Sequence, residues 1–494
     1  MSFQQHVVAG TCLLALCGVS FPASAIMPTG TWTNGAASVS LSDAHVLGGA
    51  ALLSNGKVIA AGGLSGIGQG TKGADLYNPA AQSWSSTSNM SSNRWSFDAI
   101  SLNNGKALFA GGSNAFVDFL GSGFVRSDAE VYDPTTNSFS PTANNLSVAR
   151  HAYGISELAD GRILIAGGST TFNSLGGAGT KAVDIYDPTT NLFSSAGSMN
   201  AGRSLHAQTT LADGRVVVIG GAQNDAEVYD PVTNLWASSL NTMTTTLKDT
   251  KAFELYNGKV FIASGQNTAD GVTTDNTWLF DPDALTFAAG PSMAGFNYRS
   301  GTVYQGTSDY SAFDLYAGTA NSGRYILIAG GEHDPAVGDD VELDSASIYD
   351  AVQNQFFDVG PTTFVHDDHT ESILLNDGSG NPRALLLGGN STTGTSLFTL
   401  DDIPFFTADF DNDGNVDGAD LAQWEGDFGL NGMSDADGDG DSDGADFLAW
   451  QQQFGSGIGA IAASQAVPEP SAALLLLLGC LTVGRKKLRR QITR

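Results

Sequence analysis

Two stretches near the carboxyl end carry the residues best suited to chemistry. Asp409, Asp411, Asp413, Asn415, Asp417 and Asp420 hold positions 1, 3, 5, 7, 9 and 12 of a twelve-residue run with Gly414 at position 6. Asp435, Asp437, Asp439, Asp441, Asp443 and Asp446 repeat the spacing around Gly440, 26 residues later. Ca²⁺ is a hard cation that takes about six to eight oxygen ligands, and a Gly at position 6 permits the sharp turn such a loop needs. Two Ca²⁺ sites are therefore expected, with Asn415 and Asp441 giving backbone carbonyl oxygens. Asp at position 12 shortens the bidentate reach that Glu would supply.

Each loop runs into an apolar trio at helical spacing, Leu421, Trp424 and Phe428, then Phe447, Trp450 and Phe454. Such spacing puts each trio on one helical face. Each loop resembles an EF-hand loop, and the pair of loop–helix units over residues 402–455 resembles a dockerin. That resemblance implies a small α-helical domain that folds with calcium and docks to a cohesin-like protein. Gly418-Ala419 and Gly444-Ala445 stand where clostridial dockerins commonly carry hydroxyl residues, a departure that sets the expected partner apart from a cellulosome cohesin.

A repeated unit must carry this module. AEVYDPTTNSF from Ala129, AVDIYDPTTNLF from Ala182 and AEVYDPVTNLW from Ala226 follow one another. Each follows an apolar run ending in Gly-Gly, and an Asn-Gly or Asp-Gly pair precedes that run, as at Asn55-Gly56 and Asp160-Gly161. Such pairs accept positive φ and predict two-residue hairpins. The apolar runs read as strands buried on both faces. An aromatic follows seven residues after each Tyr or its Phe substitute: Tyr77 and Trp84, Tyr132 and Phe139, Tyr186 and Phe193, Tyr229 and Trp236, Phe280 and Phe287, Tyr349 and Phe356. The unit resembles the kelch repeat, which implies a mainly β fold, a seven-bladed β-propeller over residues 28–400. The last repeat keeps Phe398 but lacks its final strand. Thr29 to Thr33, with Trp32, is expected to supply that strand and close the ring.

Propeller loops between the second and third strands vary most, so their face is the expected binding surface. Arg94, Arg150, Arg203 and Arg299 open several repeats and predict ion pairs with carboxylates between blades; an anion-binding rim is the other reading. Glu332, His333 and Asp334 lie in one loop, with His366 and His369 in the next connection, and read as an acidic rim or as a transition-metal site. His151, His206 and His369 do not suggest a central ligand ring.

Composition narrows the classes further. The net charge is −29, and residues 401–446 alone hold fifteen carboxylates without a Lys or Arg. Acidity is mostly a property of the loops and disfavours nucleic acid. Residues 1–25, apolar from Val7 to Val19 and ending Ala23-Ser24-Ala25, predict an export signal. Cys12, Cys17 and Cys480 lie outside the expected exported body, which excludes the tyrosine–cysteine copper radical chemistry known in some kelch folds. A small-residue linker (456–466) leads to residues 467–494, where Val467-Pro468-Glu469-Pro470, an apolar run and a basic end resemble a PEP-CTERM sorting signal. An exosortase-type processing enzyme and transient membrane contact are implied, with residence in the cell envelope, at the cell surface or outside the cell. The leading expectation is non-catalytic binding or scaffolding, of polysaccharide or a surface protein. The second is a carbohydrate-active enzyme tethered through the dockerin-like module.

Overall fold

The computed structural model describes residues 28–35, 45, 47–64, 69–114, 125–171, 179–319, 321–366, 372–375, 382–387, 394–401, 408–411, 416–431, 433–436 and 441–455. The expected export signal, linker and sorting segment lie outside the described residues, as do His369, Asp413, Asn415, Asp437 and Asp439. No helix among the described residues is long and apolar enough to cross a membrane. The chain divides into two compact units, Met27–Ile403, and Pro404–Arg494 with Met1–Ile26.

The first unit is a propeller-like set of antiparallel sheets. Seven four-stranded sheets occur among the described residues. They are numbered here by their first strands: Gly49–Leu52, Ala99–Ser101, Gly154–Glu157, His206–Thr210, Ala252–Glu254, Ser311–Asp314 and Ser372–Leu375. The first strands of sheets 3 and 4, 4 and 5, and 6 and 7 lie against one another, and that of sheet 1 touches those of both sheet 2 and sheet 7. Second strands such as Val58–Ala61, Ala107–Ala110, Ile163–Ala166 and Val216–Gly220 are buried at every residue. Their two apolar faces meet neighbouring sheets, which is why the runs lack alternation.

The aromatic register is a cross-strand pairing. Tyr77 lies opposite Trp84, Tyr132 opposite Phe139, Tyr186 opposite Phe193 and Tyr229 opposite Trp236. Sheet 7 takes its outer strand from the other end of the unit. Gly30–Asn34 pairs antiparallel with Thr395–Leu400 and sets Trp32 opposite Phe398, ring centroids 5.0 Å apart. The indole of Trp84 in sheet 1 donates to Thr395 Oγ1 of sheet 7 at 3.0 Å.

The hairpins differ from the two-residue form expected. Gly56 N donates to Leu53 O at 2.9 Å and Leu53 N to Lys57 O at 2.8 Å. Only the Gly is left-handed, at φ +75°, while Asn55 Oδ1 accepts from Lys57 N at 3.1 Å. The turn thus spans one more residue, with Asn acting through its side chain rather than through positive φ. The Gly-Gly pairs mark a close approach between sheets. A Cβ on Gly111, at φ +56°, would come within 2.6 Å of the Arg150 carbonyl oxygen.

In the second unit, helices α1 (Gly418–Asp427) and α2 (Gly444–Gln453) start at N-caps Asp417 and Asp443. Each start is a capping box, because Asp420 and Asp446 reach back to the N-cap backbone. Ala408, Phe410 and Val416 are buried against Trp424, Ala436, Ala449 and Trp450. Phe428 and Phe454 depart from the expected apolar face. They are C-cap residues with extended backbone and are more than half exposed, because each helix stops one residue earlier.

Candidate functional site

The capping residues of the second unit are also its candidate metal ligands. Carboxylate oxygens of Asp409, Asp411 and Asp420 lie within 4.8 Å of one another, and those of Asp441, Asp443 and Asp446 do the same. Asp420 and Asp446 are fully buried. Asp420 accepts from Asp417 N at 2.7 Å and Asp411 N at 3.2 Å; Asp446 accepts from Asp443 N and Ala436 N, both at 2.6 Å. Gathering like charges around a buried carboxylate is unfavourable unless a cation neutralises them. A donor set made only of oxygen is the kind a hard divalent ion takes, so the residues present fit Ca²⁺. Asp417 and Asp435 adjoin these groups in sequence without belonging to either trio.

In the first unit the expected arginines turn inward. Arg94, Arg150 and Arg203 are fully buried. Each reaches a carbonyl 17 residues ahead, at Gly111, Gly167 and Gly220. Each also meets an acid on the third strand of its own sheet: Glu130 at 3.1 Å, Asp184, and Glu227 at 3.1 Å. Their own carbonyls accept from Gly63, Gly112 and Gly168 of the preceding sheet at 2.8–2.9 Å. The side chain therefore locks one sheet while the backbone holds its neighbour, and no anion-binding rim results. Arg299 alone is partly exposed, paired with Glu342 at 3.1 Å. His45 takes the same place in sheet 1, with Nδ1 2.7 Å from Gly62 O and Nε2 3.2 Å from Asp75.

Two residues after His45, Arg94, Arg150, Arg203 and their counterparts Leu247 and Thr307 the backbone turns left-handed. Leu47, Ser96, Ala152, Leu205, Asp249 and Asp309 all have φ between 50° and 55°. Ser96 N donates to Leu47 O at 2.7 Å, Ala152 N to Ser96 O at 3.2 Å, Leu205 N to Ala152 O at 2.9 Å and Asp249 N to Leu205 O at 3.0 Å. One residue further, Phe97, Tyr153, His206, Thr250 and Tyr310 are buried. Within this arc lies a cavity of about 360 Å³, lined among others by Asp98, Tyr153, His206, Asp249, Lys251 and Tyr310. Burial, with Arg203 beside it, pushes the His206 imidazole down to about 3, and neither ring nitrogen has a hydrogen-bond partner among the described residues. Burial also raises the Tyr153 and Tyr310 hydroxyls well above the ordinary phenol range. Tyr153 donates to Ala110 O at 2.5 Å. Of the three histidines, His151 lies beside Ser96 and Thr171 and His206 replaces an aromatic wedge, while His369 lies outside the described residues.

No protein-family model matches the sequence, and neither does any curated protein. Among solved structures the chain is similar to a fungal alcohol oxidase of the AA5 family in complex with copper. Identity is 16%, the TM-score is 0.54, and the match covers 75% of this chain and 76% of that chain. The fold is kelch-type. YjhT also matches, at 15% identity and a TM-score of 0.47, over 65% of this chain and 99% of that chain. Identities this low concern the fold alone, and copper chemistry belongs to the oxidase.

In this kelch-like unit the loop after the second strand of sheet 6 gathers Glu332, Asp334 and Asp340 within 4.8 Å. Burial raises the Asp334 carboxyl, which accepts from Ser308 at 2.7 Å. The histidines expected beside it are turned elsewhere: His333 Nδ1 lies 2.8 Å from Thr273 Oγ1 and buried His366 Nε2 lies 2.6 Å from Ser396 Oγ. A further set escaped notice in the sequence. Asn137, Asn191, Asn234 and Asn354 stand left-handed five residues after Tyr132, Tyr186, Tyr229 and Tyr349 and accept their hydroxyls. The recurring Asn five residues after Tyr was the available signal.

Proposed function

We propose that this is an exported protein held at the cell surface for binding or scaffolding. A closed seven-bladed kelch propeller is its platform for a polysaccharide or a surface protein. A dockerin-like module with two Ca²⁺ sites joins it to a cohesin-like partner, and a PEP-CTERM tail read by an exosortase directs it to the envelope. The observation that carries the docking role is the duplicated convergence of carboxylates beside two capped helices. The joining of Gly30–Asn34 to sheet 7 supports closure of the ring. Calcium would be held by Asp409, Asp411, Asp413, Asn415, Asp417 and Asp420, and by Asp435, Asp437, Asp439, Asp441, Asp443 and Asp446. Bound there, it neutralises the carboxylates and fixes the loops against the helix starts.

Equilibrium dialysis of the whole chain against radioactive calcium tests this reading. Two ions per chain are expected, one after Asp420→Ala, and none after the Asp420→Ala and Asp446→Ala pair. A chain that takes up no calcium refutes it. The second reading, a tethered carbohydrate-active enzyme, draws on the two carboxylates Asp98 and Asp249 in the axial cavity. Hydrolysis needs two such groups about 5–10 Å apart across a substrate. Release of reducing ends from polysaccharide, abolished by Asp98→Asn, would establish it.

A further inference from the structure

Four residues after His45, Arg94, Arg150, Arg203, Leu247 and Thr307, the chain places Gly49, Asp98, Gly154, Ala207, Lys251 and Ser311. These equivalent positions form one layer at the starts of the first strands, just inside the left-handed arc. Four of the six are small and buried. The two that differ are charged, opposite in sign, half-buried and three sheets apart in the backbone-bonded series that runs from Ser96 to Asp249.

Asp98 and Lys251 make no ion pair and no side-chain hydrogen bond among the described residues, yet both line the cavity. The other carboxylate of the wall, Asp249, has Lys248 at 3.7 Å. In a chain with 22 basic residues against 51 acidic ones, a cavity-lining Lys with no ion pair among the described residues stands out. Backbone donors do not compete for a ligand at the mouth, because the N–H groups of Ser96, Ala152, Leu205 and Asp249 are spent on one another. His206 stays neutral there and adds no charge.

We infer that the axial cavity binds a small zwitterion of the amino acid class, its ammonium on Asp98 and its carboxylate on Lys251. Charge-assisted hydrogen bonds at both ends orient the molecule. The aromatic walls from Phe97, Tyr153 and Phe253 receive its apolar middle. Uptake here involves neither the calcium loops nor a polymer on the outer face, so it is expected to be the same with calcium and with EDTA.

Calorimetric titration of the whole chain tests this. The probes are alanine, leucine and glutamine, and a ladder of β-alanine, 4-aminobutyrate and 6-aminohexanoate that measures the span between the charges. The N-acetyl and methyl ester forms, each lacking one charge, are expected to bind at least tenfold more weakly than the parent. Asp98→Asn and Lys251→Met are expected to cause a similar loss, and the exchange Asp98→Lys with Lys251→Asp to restore binding in reverse orientation. The blocked ligands need no variant and decide the matter even if a variant misfolds. Absence of heat with every zwitterion at millimolar concentration overturns the inference. So does equal affinity for parent and blocked forms, or binding of glucose or xylose that ignores both substitutions.

Discussion

Trp424 and Trp450 each hold the other's loop. The indole of Trp424 donates to Asp443 O at 2.9 Å, and that of Trp450 donates to Asp417 O at 2.8 Å. The helix ends repeat the exchange: Gly429 N donates to Ser442 O at 2.9 Å and Gly455 N to Val416 O at 2.8 Å. Every bond leaves one loop–helix half and ends in the other, so ordering one loop orders its partner's helix start.

That crossing makes a specific prediction for calcium. Trp424→Phe keeps the ring stacked near Phe447 but removes the donor to Asp443. A lost hydrogen bond of this kind costs about 1 kcal/mol, roughly fivefold in affinity. The loss is expected at the Asp435–Asp446 loop, not at the loop preceding Trp424 in sequence. Trp450→Phe should do the converse. Calcium titration in Asp420→Ala and Asp446→Ala backgrounds separates the loops, and weakening on the same side as the substitution would contradict the crossing.

Acid should strike the kelch-type unit at His206. Its folded value is pushed below the ordinary 6.5 to about 3 by burial and by Arg203. The sign follows from linkage: the unfolded chain binds the proton first, so stability is full above about pH 6.5 and falls as pH drops towards 3. A shift of this size corresponds to on the order of 5 kcal/mol. His206→Phe places at this position the residue that sheet 2 carries as Phe97, with Gly154 facing it as Gly49 faces Phe97. Denaturant unfolding at pH 7 and pH 4 should show a clearly smaller pH difference for the variant than for the parent.

Much of this could be read from the residues, and the rest could not for definable reasons. Repeats are local, so Tyr132 and Phe139 announce a hairpin from seven residues apart. Trp32 could be assigned to Phe398 because it was the one aromatic the last repeat lacked. The left-handed arc was hidden, since Leu47, Ser96, Ala152, Leu205 and Asp249 share a conformation but no chemistry. The ion pairs of the arginines were expected, but between blades; their acid partners lie within the same sheet and were hidden because loops of different length separate them by 36, 34 and 24 residues. Phe428 was legible in hindsight: Gly429 follows it with φ +67°, the usual way a helix is stopped.

The partners at the arginine position vary together from sheet to sheet. Arg203 faces Glu227, while the equivalent Leu247 and Trp278 share one apolar cluster and His366 bonds Ser396. Arg203→Leu alone strands Glu227, which is fully buried, and breaking such a pair costs about 3–5 kcal/mol. Arg203→Leu with Glu227→Leu is expected to recover most of that loss, as the apolar pair in sheet 5 implies. Chemical denaturation of both variants checks the difference, and a double variant no more stable than the single one would argue against complementarity.

The amino-terminal strand gives the last test. Gly30–Asn34 contributes a full ladder to sheet 7, and Tyr77 of sheet 1 donates its hydroxyl to Gly35 O just beyond it. Without that strand, Thr395–Leu400 becomes an open edge whose unpaired N–H and C=O groups can pair with another chain. Deleting residues 28–34 while keeping residues 1–27 is therefore expected to lower the unfolding midpoint and promote association. Thr31→Pro should do so more mildly, because proline removes one donor from the ladder. Light scattering and thermal unfolding measure both effects. If the deleted chain associated no more than the parent and kept its midpoint, the strand would not be closing the sheet in solution.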